Sequence, residues 1–362
     1  MNNNNRYCVI MAGGTANHFW PVSRESKPKQ FLDLTGSGQS FIRTTYERFS
    51  KIVPTENIII VTLAKFAGII HEQIPEIPKE NLLLEPYARH TAPCIAFAAY
   101  SILKRNPEAT IIATPADHII KDEDKFKAAI LKTMEYAESN SALMTLGIHP
   151  TEPDTSYGYI QAPGGNGDDT PLKVKTFTEK PDKALAEVFC KTGEFYWNSG
   201  IFISKASVIR EEMEKYIPDI TAAFDGWEEA LGRADEQKFI EKAYSDCPKL
   251  SIDYGVMEKT DKAWLYCGDF GWSDIDSWDS LFKSIDRKSL NGNVAYTDRM
   301  LSEGNEGDII VSKDKKKLYA IKGLKDYAVI DTDDVLLICP KDDKRLKDFL
   351  SGLGMPEYED YR

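Results

Sequence analysis

The sequence has no excess of positive charge. Its 362 residues carry 45 Lys and Arg against 57 Asp and Glu, which gives a formal net charge of −12. A nucleic-acid-binding protein needs a basic face that displaces counterions from the phosphates, so we expect no nucleic-acid partner. Any phosphate that this chain binds must meet a local cluster of positive side chains on an otherwise acidic surface.

Long apolar runs and paired cysteines are also missing. No run reaches the roughly 18 residues that span a membrane, and the first six residues, MNNNNR, lack the apolar segment of a signal peptide. The six cysteines stand singly, without a C-x-x-C pair or a histidine at ligand spacing. We therefore expect a cytoplasmic protein with reduced, packed cysteines, no zinc site and no membrane partner.

Short apolar segments alternate with helix-like stretches over the first 150 residues. The predicted strands cover 6–12, 57–62, 81–85, 109–114 and 142–147. The predicted helices between them cover 40–51, 63–73, 91–104 and 122–138. This alternation predicts the α/β class, with a Rossmann-like mixed, mostly parallel sheet and helices on both faces. Ligands then bind at the carboxyl ends of the strands.

The chain after residue 286 has a different pattern. Short apolar segments such as NVAY, DIIVS and YAVIDT alternate with Asn, Gly and Asp turns, and a helix-like stretch covers about 342–352. We predict a catalytic domain over 1–286 and a small, β-helix-like domain over 287–362 that ends in a helix, as the chain length also favours. A β-rich extension of the main sheet remains the alternative.

A glycine pair, Gly13-Gly14, follows the first predicted strand directly. Glycines at this point let the backbone approach a phosphate with its amide N–H groups, although paired glycines also form ordinary turns. The cations Arg24, Lys27 and Lys29 follow in the same segment and strengthen the phosphate interpretation. Neither GxxxxGK[ST] nor GxGxxG is present, so a P-loop and a dinucleotide site are both disfavoured.

The segment 11–32, MAGGTANHFWPVSRESKPKQFL, resembles the nucleotide-binding signature of the mannose 1-phosphate guanylyltransferases, which is close to AGGxGxRxWPxSxxxxPKQF. The resemblance continues over essentially the full chain. It implies a nucleotide-diphospho-sugar transferase fold and a possible homodimer. The activity that it implies is the synthesis of GDP-mannose and diphosphate from GTP and mannose 1-phosphate with Mg²⁺. The residues that it implies in this segment are Ala12, Gly13, Gly14, His18 and Lys29 for the nucleotide, with Lys29 and Arg24 as catalytic cations.

A second motif, EPYARHTAP at 85–93, is similar to the EPxxRNTAP of that family. The Watson–Crick edge of guanine offers N1–H and N2–H₂ as adjacent donors, which a carboxylate can accept together. We predict that Glu85, or the backbone from Arg89 to Thr91, binds the base. As the alternative, Glu85 is a charge at a strand end and Thr91 caps the following helix.

A third motif, PADH, places Asp117 after a buried strand, where a lone charge is costly and is usually paired or metal-bound. The resemblance implies a magnesium ligand at Asp117 and a second one at Asp274, since FGWSDIDSW is similar to the GWSDxGSW of the family. Two carboxylates with phosphate oxygens form a usual Mg²⁺ shell.

The sugar side is predicted from motifs of the middle segment, TSYGYI, FTEKP, WNSGIF and SIDYGVMEK. The resemblance implies that Glu179 and Asn198 bind mannose hydroxyls, near Gly158, and that Lys180 is a catalytic cation that neutralises the sugar phosphate. Carboxylate and amide groups suit vicinal hydroxyls. Asp253 is a further sugar-binding candidate, although a helix N-cap explains it as well.

Four positions depart from the signature: Ala16, Asn17 and His18 in the loop, and Asp276 in place of a glycine. A neutral histidine cannot make the two-pronged cationic contact that arginine makes with a phosphate, and alanine at a left-handed glycine position costs about 1–2 kcal/mol. Three hypotheses follow: an active enzyme of this family, a nucleotidyltransferase for another base or sugar, and a weakly active or inactive relative with a binding or regulatory role.

Overall fold

The computed structural model describes residues 3–14, 18–164, 170–286, 288–289, 291–297, 299–314 and 316–362. Two of the departures from the signature, Ala16 and Asn17, lie outside these residues. The chain divides into two compact units. The first consists of Met1–Gly14, Thr44–Ala116 and Ile120–Trp272, and the second of Thr15–Arg43, Asp117–Ile119 and Ser273–Arg362. The domain limits 1–286 and 287–362 stay a prediction.

The strands are short and are spread over both units. They are β1 Arg6–Met11, β2 Ile58–Leu63, β3 Leu82–Glu85, β4 Thr110–Pro115, β5 His118–Ile120, β6 Leu143–Ile148, β7 Tyr159–Gln161, β8 Leu172–Lys173, β9 Thr176–Thr178, β10 Phe195–Lys205, β11 Ala263–Cys267, β12 Trp272–Asp274, β13 Val294–Tyr296, β14 Met300–Glu303, β15 Ile309–Ser312, β16 Tyr319–Lys322, β17 Tyr327–Asp331 and β18 Leu336–Pro340.

The helices are α1 Phe41–Ser50, α2 Ala67–Gln73, α3 Thr91–Arg105, α4 Glu123–Ser139, α5 Lys183–Thr192, α6 Ala206–Tyr216, α7 Pro218–Ala223, α8 Trp227–Ala230, α9 Glu236–Asp246, α10 Trp278–Ser284 and α11 Leu346–Leu350. All nine strands and helices predicted for the first 150 residues are present, with ends shifted by up to four residues. The predicted helix near the C-terminus is shorter than expected, because α11 continues as a 3₁₀ turn over Ser351–Gly354. Within the described residues, none of the helices combines the length and the apolar character that crossing a bilayer requires.

The first unit is built on a ten-stranded mixed sheet in the order β3-β2-β1-β4-β10-β6-β11-β8, with β7 paired to β10 and β9. Parallel pairing joins β1 to β2 and β4, β2 to β3, and β6 to β11. The long strand β10 runs antiparallel to both β4 and β6, so β4 and β6 point in the same direction. The predicted mixed, mostly parallel sheet is therefore confirmed.

Both faces of this sheet are buried. In β1, Tyr7 and Val9 belong to the hydrophobic core that includes α3, whereas Cys8 and Ile10 point to the opposite face and have no exposed surface. Helix α3 is buried at every residue from Ala92 to Leu103, as expected for a helix with an apolar surface all round. It packs against α6, α7 and the strands β1 to β3, while α4 packs against β4, β6 and β10.

The second unit contains separate small sheets. Strands β13, β15 and β17 stack in parallel, and β18 joins β17 antiparallel. A second pair, β14 and β16, is also parallel. None of these strands pairs with the ten-stranded sheet within the described residues. The alternative of a β-rich extension of the main sheet is therefore wrong, and the predicted small β-rich part with repeated short strands is confirmed.

Buried asparagines hold the turns between these stacked strands. The side chain of Asn293 donates to the Asn305 carbonyl at 3.2 Å and accepts from the Asp308 N–H at 2.8 Å. The side chain of Asn305 donates to the Ile321 carbonyl at 2.8 Å and accepts from the Leu324 N–H at 2.9 Å. An amide supplies donors and an acceptor at once, so each asparagine satisfies backbone groups that the turn leaves without a strand partner.

Candidate active site

An ion cluster centred on Lys29 lies in the second unit. The Lys29 Nζ is 2.9 Å from Asp117 Oδ2 and 3.3 Å from Asp274 Oδ1, and it donates to the Ile275 carbonyl at 2.7 Å. Burial alone would lower the pKa of Lys29, but the two carboxylates outweigh burial and raise it. Burial also opposes ionisation of Asp274, yet Lys29 holds the pKa of this carboxyl below its usual value. Lys29 and Asp274 are therefore both ionised near neutral pH.

A possible metal-binding group overlaps with this cluster. Asp117, His118 and Asp274 each offer one ligand atom, and these atoms all lie within 4.8 Å of one another. The pairing of β5 with β12 joins the segments that carry His118 and Asp274. Carboxylate oxygens suit Mg²⁺ and Mn²⁺, and imidazole suits transition metals, so the donor set fits a divalent cation. The two aspartates were predicted from the sequence, but His118 was not, although this histidine is the next residue after Asp117.

His18 lies beside the same cluster. Burial and the charge of Lys29 lower its pKa, against a smaller opposing effect of Asp276 and Asp274, and the ring is hydrogen-bonded to the Asp276 backbone. An imidazole with a lowered pKa is neutral at pH 7. Two of the four departures from the signature, His18 and Asp276, are thus neighbours in the structure, which their distance in the sequence gave no reason to expect.

Arg24 contacts protein groups of the second unit. Its guanidinium donates to the Pro21 carbonyl at 2.8 Å, to Asp334 Oδ1 at 2.8 Å and to the Tyr361 carbonyl. The indole N–H of Trp20 donates to the same Tyr361 carbonyl at 2.7 Å. These contacts tie the C-terminal segment to the signature loop and are those of an anchoring residue, so the catalytic role of Arg24 stays a prediction.

In the first unit, Glu85 ends β3 and is only 4% exposed. The Tyr244 hydroxyl donates to Glu85 Oε1 at 2.9 Å. A Cβ added to Gly13 would lie 2.7 Å from Glu85 Oε2, so a larger residue at this position would displace the Glu85 carboxyl. Burial raises the pKa of Glu85 to about 7, and the hydrogen bond from Tyr244 offsets only part of this effect.

The backbone next to Gly13 leaves the sheet gradually. The Ala12 N–H still donates to the Val61 carbonyl at 2.8 Å, and the Thr62 hydroxyl donates to the Ala12 carbonyl at 2.9 Å. Among the described residues, a Cβ added to Gly14 would meet no atom within 4 Å. The predicted nucleotide-binding backbone therefore still bonds to the sheet at Ala12 and has space beside Gly14 in the described part of the chain.

The second motif is held by contacts to a later segment. The guanidinium of Arg89 donates to the Tyr244 carbonyl at 3.0 Å, and the Thr91 hydroxyl accepts from the Ile252 N–H at 2.9 Å. No side-chain hydrogen bond caps α3, so the alternative that Thr91 is a helix cap is wrong. Between them, His90 has φ 65° and ψ −168°, a conformation that is nearly confined to glycine and is often found at binding sites.

The predicted sugar-binding residues also lie together in the first unit. The Asn198 side chain donates to Asp253 Oδ1 at 2.9 Å and accepts from the Thr145 hydroxyl at 3.1 Å and from the Gly200 N–H at 3.1 Å. Burial raises the pKa of Asp253. Asp253 begins a π-helical turn, Asp253–Met257, whose N-cap is the preceding residue, so the alternative of a capping role for Asp253 is wrong.

Glu179 faces Gly158 in the same group. A Cβ added to Gly158 would lie 2.5 Å from Glu179 Oε2, and the Asn198 N–H donates to the Gly158 carbonyl at 2.8 Å. Burial and then the charge of Asp253 raise the pKa of Glu179. Lys180 is 3.8 Å from Glu179 Oε1, and its side chain is 62% exposed, so the ammonium can reach a ligand in solvent.

Comparisons with known proteins agree with these motifs. A family model described as Nucleotidyl transferase matches residues 7–289. The chain is 37% identical to a Mannose-1-phosphate guanylyltransferase of Escherichia coli (strain K12) over 98% of this chain and 76% of that protein. It is 39% identical to a Mannose-1-phosphate guanylyltransferase of Salmonella montevideo over 93% of this chain and 72% of that protein.

A solved structure is similar over nearly the whole chain. The crystal structure described as mannose-1-phosphate geranyltransferase from Thermus thermophilus aligns with a TM-score of 0.86 and 28% identity. The alignment covers 97% of this chain and all of the other, so the ten-stranded sheet and the small C-terminal sheets are both features of a known architecture.

The raised pKa of Glu85 predicts a pH-dependent effect of Glu85→Gln on stability. The stability that protonated Glu85 gives to the folded state is fully present below its ordinary pKa of 4.5 and is lost as the pH rises through about 7. We expect Glu85→Gln to increase the free energy of unfolding at pH 8 by up to about 3 kcal/mol, with little change at pH 4.5. Urea unfolding at both pH values measures this difference.

The matched control is Glu80→Gln, because Glu80 is an exposed carboxylate that precedes the same strand. This variant should leave the difference between the two pH values unchanged. A destabilising effect of Glu85→Gln at pH 8 would contradict the prediction.

Proposed function

The chain belongs to the nucleotidyl transferase family, and we propose that it is a mannose-1-phosphate guanylyltransferase, which makes GDP-mannose and diphosphate from GTP and mannose 1-phosphate. Relatives described by that name support the choice of substrates. The observation that carries the proposal is the cluster of Lys29 with Asp117 and Asp274, because phosphoryl transfer to an anionic acceptor depends on fixed cations and metal ligands.

The proposed reaction needs no acid–base pair from the protein. A phosphate oxygen of mannose 1-phosphate is anionic at neutral pH, and it attacks the α-phosphorus of GTP in line while diphosphate leaves. Lys29 and Lys180 hold the two phosphate-bearing substrates against their mutual repulsion. Mg²⁺ bound by Asp117, His118 and Asp274 would add charge neutralisation at the transferred phosphoryl group.

The base is proposed to be read by Glu85. Its carboxylate can accept from N1–H and N2–H₂ of guanine together, and adenine offers no such pair of donors on its Watson–Crick edge. The close approach of Glu85 to Gly13 supports this role, because the glycine loop and the carboxylate then bind neighbouring parts of one nucleotide. Arg89 and the backbone up to Thr91 complete the proposed nucleotide site.

The sugar is proposed to be held by Glu179 and Asp253. Three hydrogen bonds fix the Asn198 amide, which positions Asp253 and leaves this carboxyl to accept from mannose hydroxyls. Glu179 and Lys180 follow each other in the chain, so one segment supplies an acceptor for the hydroxyls and a cation for the sugar phosphate. The cytoplasmic location and the homodimer are further expectations of this proposal.

The proposed activity requires a divalent cation. We expect the purified protein to release diphosphate from GTP and mannose 1-phosphate with Mg²⁺ and to be inactive with EDTA. Replacing both Asp117 and Asp274 by Asn should abolish turnover, because each substitution removes an anionic ligand. The same double substitution at the exposed Asp219 and Asp246 is the control. Full activity of the Asp117→Asn, Asp274→Asn variant would show that the metal ligands lie elsewhere.

The proposed base contact predicts a change in nucleotide preference. An amide offers one acceptor oxygen where the carboxylate offers two, so Glu85→Gln should weaken GTP binding and lower the preference for GTP over ATP. The ratio of kcat/KM for the two nucleotides measures this preference. An unchanged ratio in a folded variant would mean that another group reads the base.

Because of His18, we expect a low activity at neutral pH, and we expect arginine at this position to raise it. Because the imidazole of His18 is neutral at pH 7, His18→Arg should add a cation for the triphosphate and raise kcat/KM by about 10²-fold, as for one charge-stabilising donor. His71→Arg adds the same charge at an exposed helix position and is the control. If the combined Ala16→Gly, Asn17→Thr, His18→Arg variant keeps the native turnover and GTP affinity, the departures are neutral.

A further inference from the structure

We propose that Lys29 is an exchangeable counter-ion: in the metal-free protein its ammonium occupies the place between Asp117 and Asp274, and it moves to the nucleotide phosphates when the divalent cation binds. The inference rests on the metal ligands of the proposed function. It adds an order of events, in which the cation binds weakly to the free protein and enters together with the nucleotide.

The ammonium of Lys29 has a hydrogen-bond acceptor for each of its protons. A lysine ammonium has three protons, and Lys29 has three acceptors: Asp117 Oδ2 at 2.9 Å, Asp274 Oδ1 at 3.3 Å and the Ile275 carbonyl at 2.7 Å. The Lys29 side chain is only 11% exposed. The single ammonium therefore balances one of the two carboxylate charges.

A divalent cation that binds both carboxylates of Asp117 and Asp274 would lie close to the ammonium of Lys29, and like charges repel at such short range. The nucleotide removes this conflict, because its phosphate oxygens are strong acceptors that can take over the ammonium protons. Lysine suits such an exchange, since its charge is carried on a flexible four-carbon stem.

The surrounding groups do not replace Lys29 in this role. His118 is next to Asp117 and contributes a ligand atom to the metal group. His18 has a lowered pKa because of its burial and of the Lys29 charge itself, so its ring is not a second permanent cation. Asp276 adds a further negative charge near His18. Among the described residues, Lys29 has the largest effect that keeps Asp274 ionised, and His118 and His18 add smaller effects.

The test measures Mn²⁺ binding to the nucleotide-free protein, from the loss of the free-ion signal in electron paramagnetic resonance. We expect weak binding to the native protein and at least about tenfold tighter binding to Lys29→Met, because the competing charge is gone. Lys27→Met removes an exposed lysine of the same loop and should leave the Mn²⁺ affinity unchanged. Equal Mn²⁺ affinity of the native protein and Lys29→Met overturns the inference.

A second pair of variants covers the case that Lys29→Met does not fold. Asp274→Asn removes one of the two negative charges, so Lys29→Met in this background leaves a single carboxylate, Asp117, without its partner. The double variant should bind Mn²⁺ more tightly than Asp274→Asn alone, and equal or weaker binding contradicts the inference. Turnover of the native protein with and without EDTA decides about the proposed function separately, because the Mn²⁺ titration uses neither substrate.

Discussion

Asp117 and Asp274 are brought close together by segments far apart in the chain, and the second unit depends on the ammonium that keeps these two like charges in place. The loop that carries Lys29 is fixed on both sides. Phe19 packs edge-to-face on Trp278 with ring centroids 5.1 Å apart, and Trp20 is hydrogen-bonded to the C-terminal segment. These contacts thus hold the loop, the loop holds the lysine, and the lysine stabilises Asp274 in its ionised form.

Two carboxyl groups of the first unit, those of Glu85 and Asp253, accept from neutral donors instead of a lysine. Glu85 is bonded to a tyrosine hydroxyl and Asp253 to an amide, and burial raises the pKa of both. The direction of the shift separates two kinds of chemistry. Asp274, whose pKa is lowered, faces cations, whereas Glu85 and Asp253, whose pKa values are raised, accept from neutral groups and suit ligands that offer N–H or O–H groups.

The predictable part of the molecule is the part with a regular pattern. The strands of the parallel sheet are continuous apolar runs, and the resemblance of two motifs implied Asp117 and Asp274, which contact the same lysine in the structure. Helices α7 to α9 were missed, because this segment alternates short helices with turns and has no long periodic stretch. The contacts of Arg24 with Asp334 and Tyr361, and of His18 with Asp276, depend on tertiary packing, which no local pattern encodes.

The π-helical turn at Asp253–Met257 restricts changes in the length of this segment. Such a turn accommodates one residue more than an α-helical turn would, and single-turn π segments are frequent at functional sites. Deleting one residue would change the direction of the remaining side chains of this single turn by about 100° each. It would also shift the chain that leads from Asp253 to β11 at Ala263–Cys267. In a set of diverged sequences, this segment should accept many substitutions and no change in length.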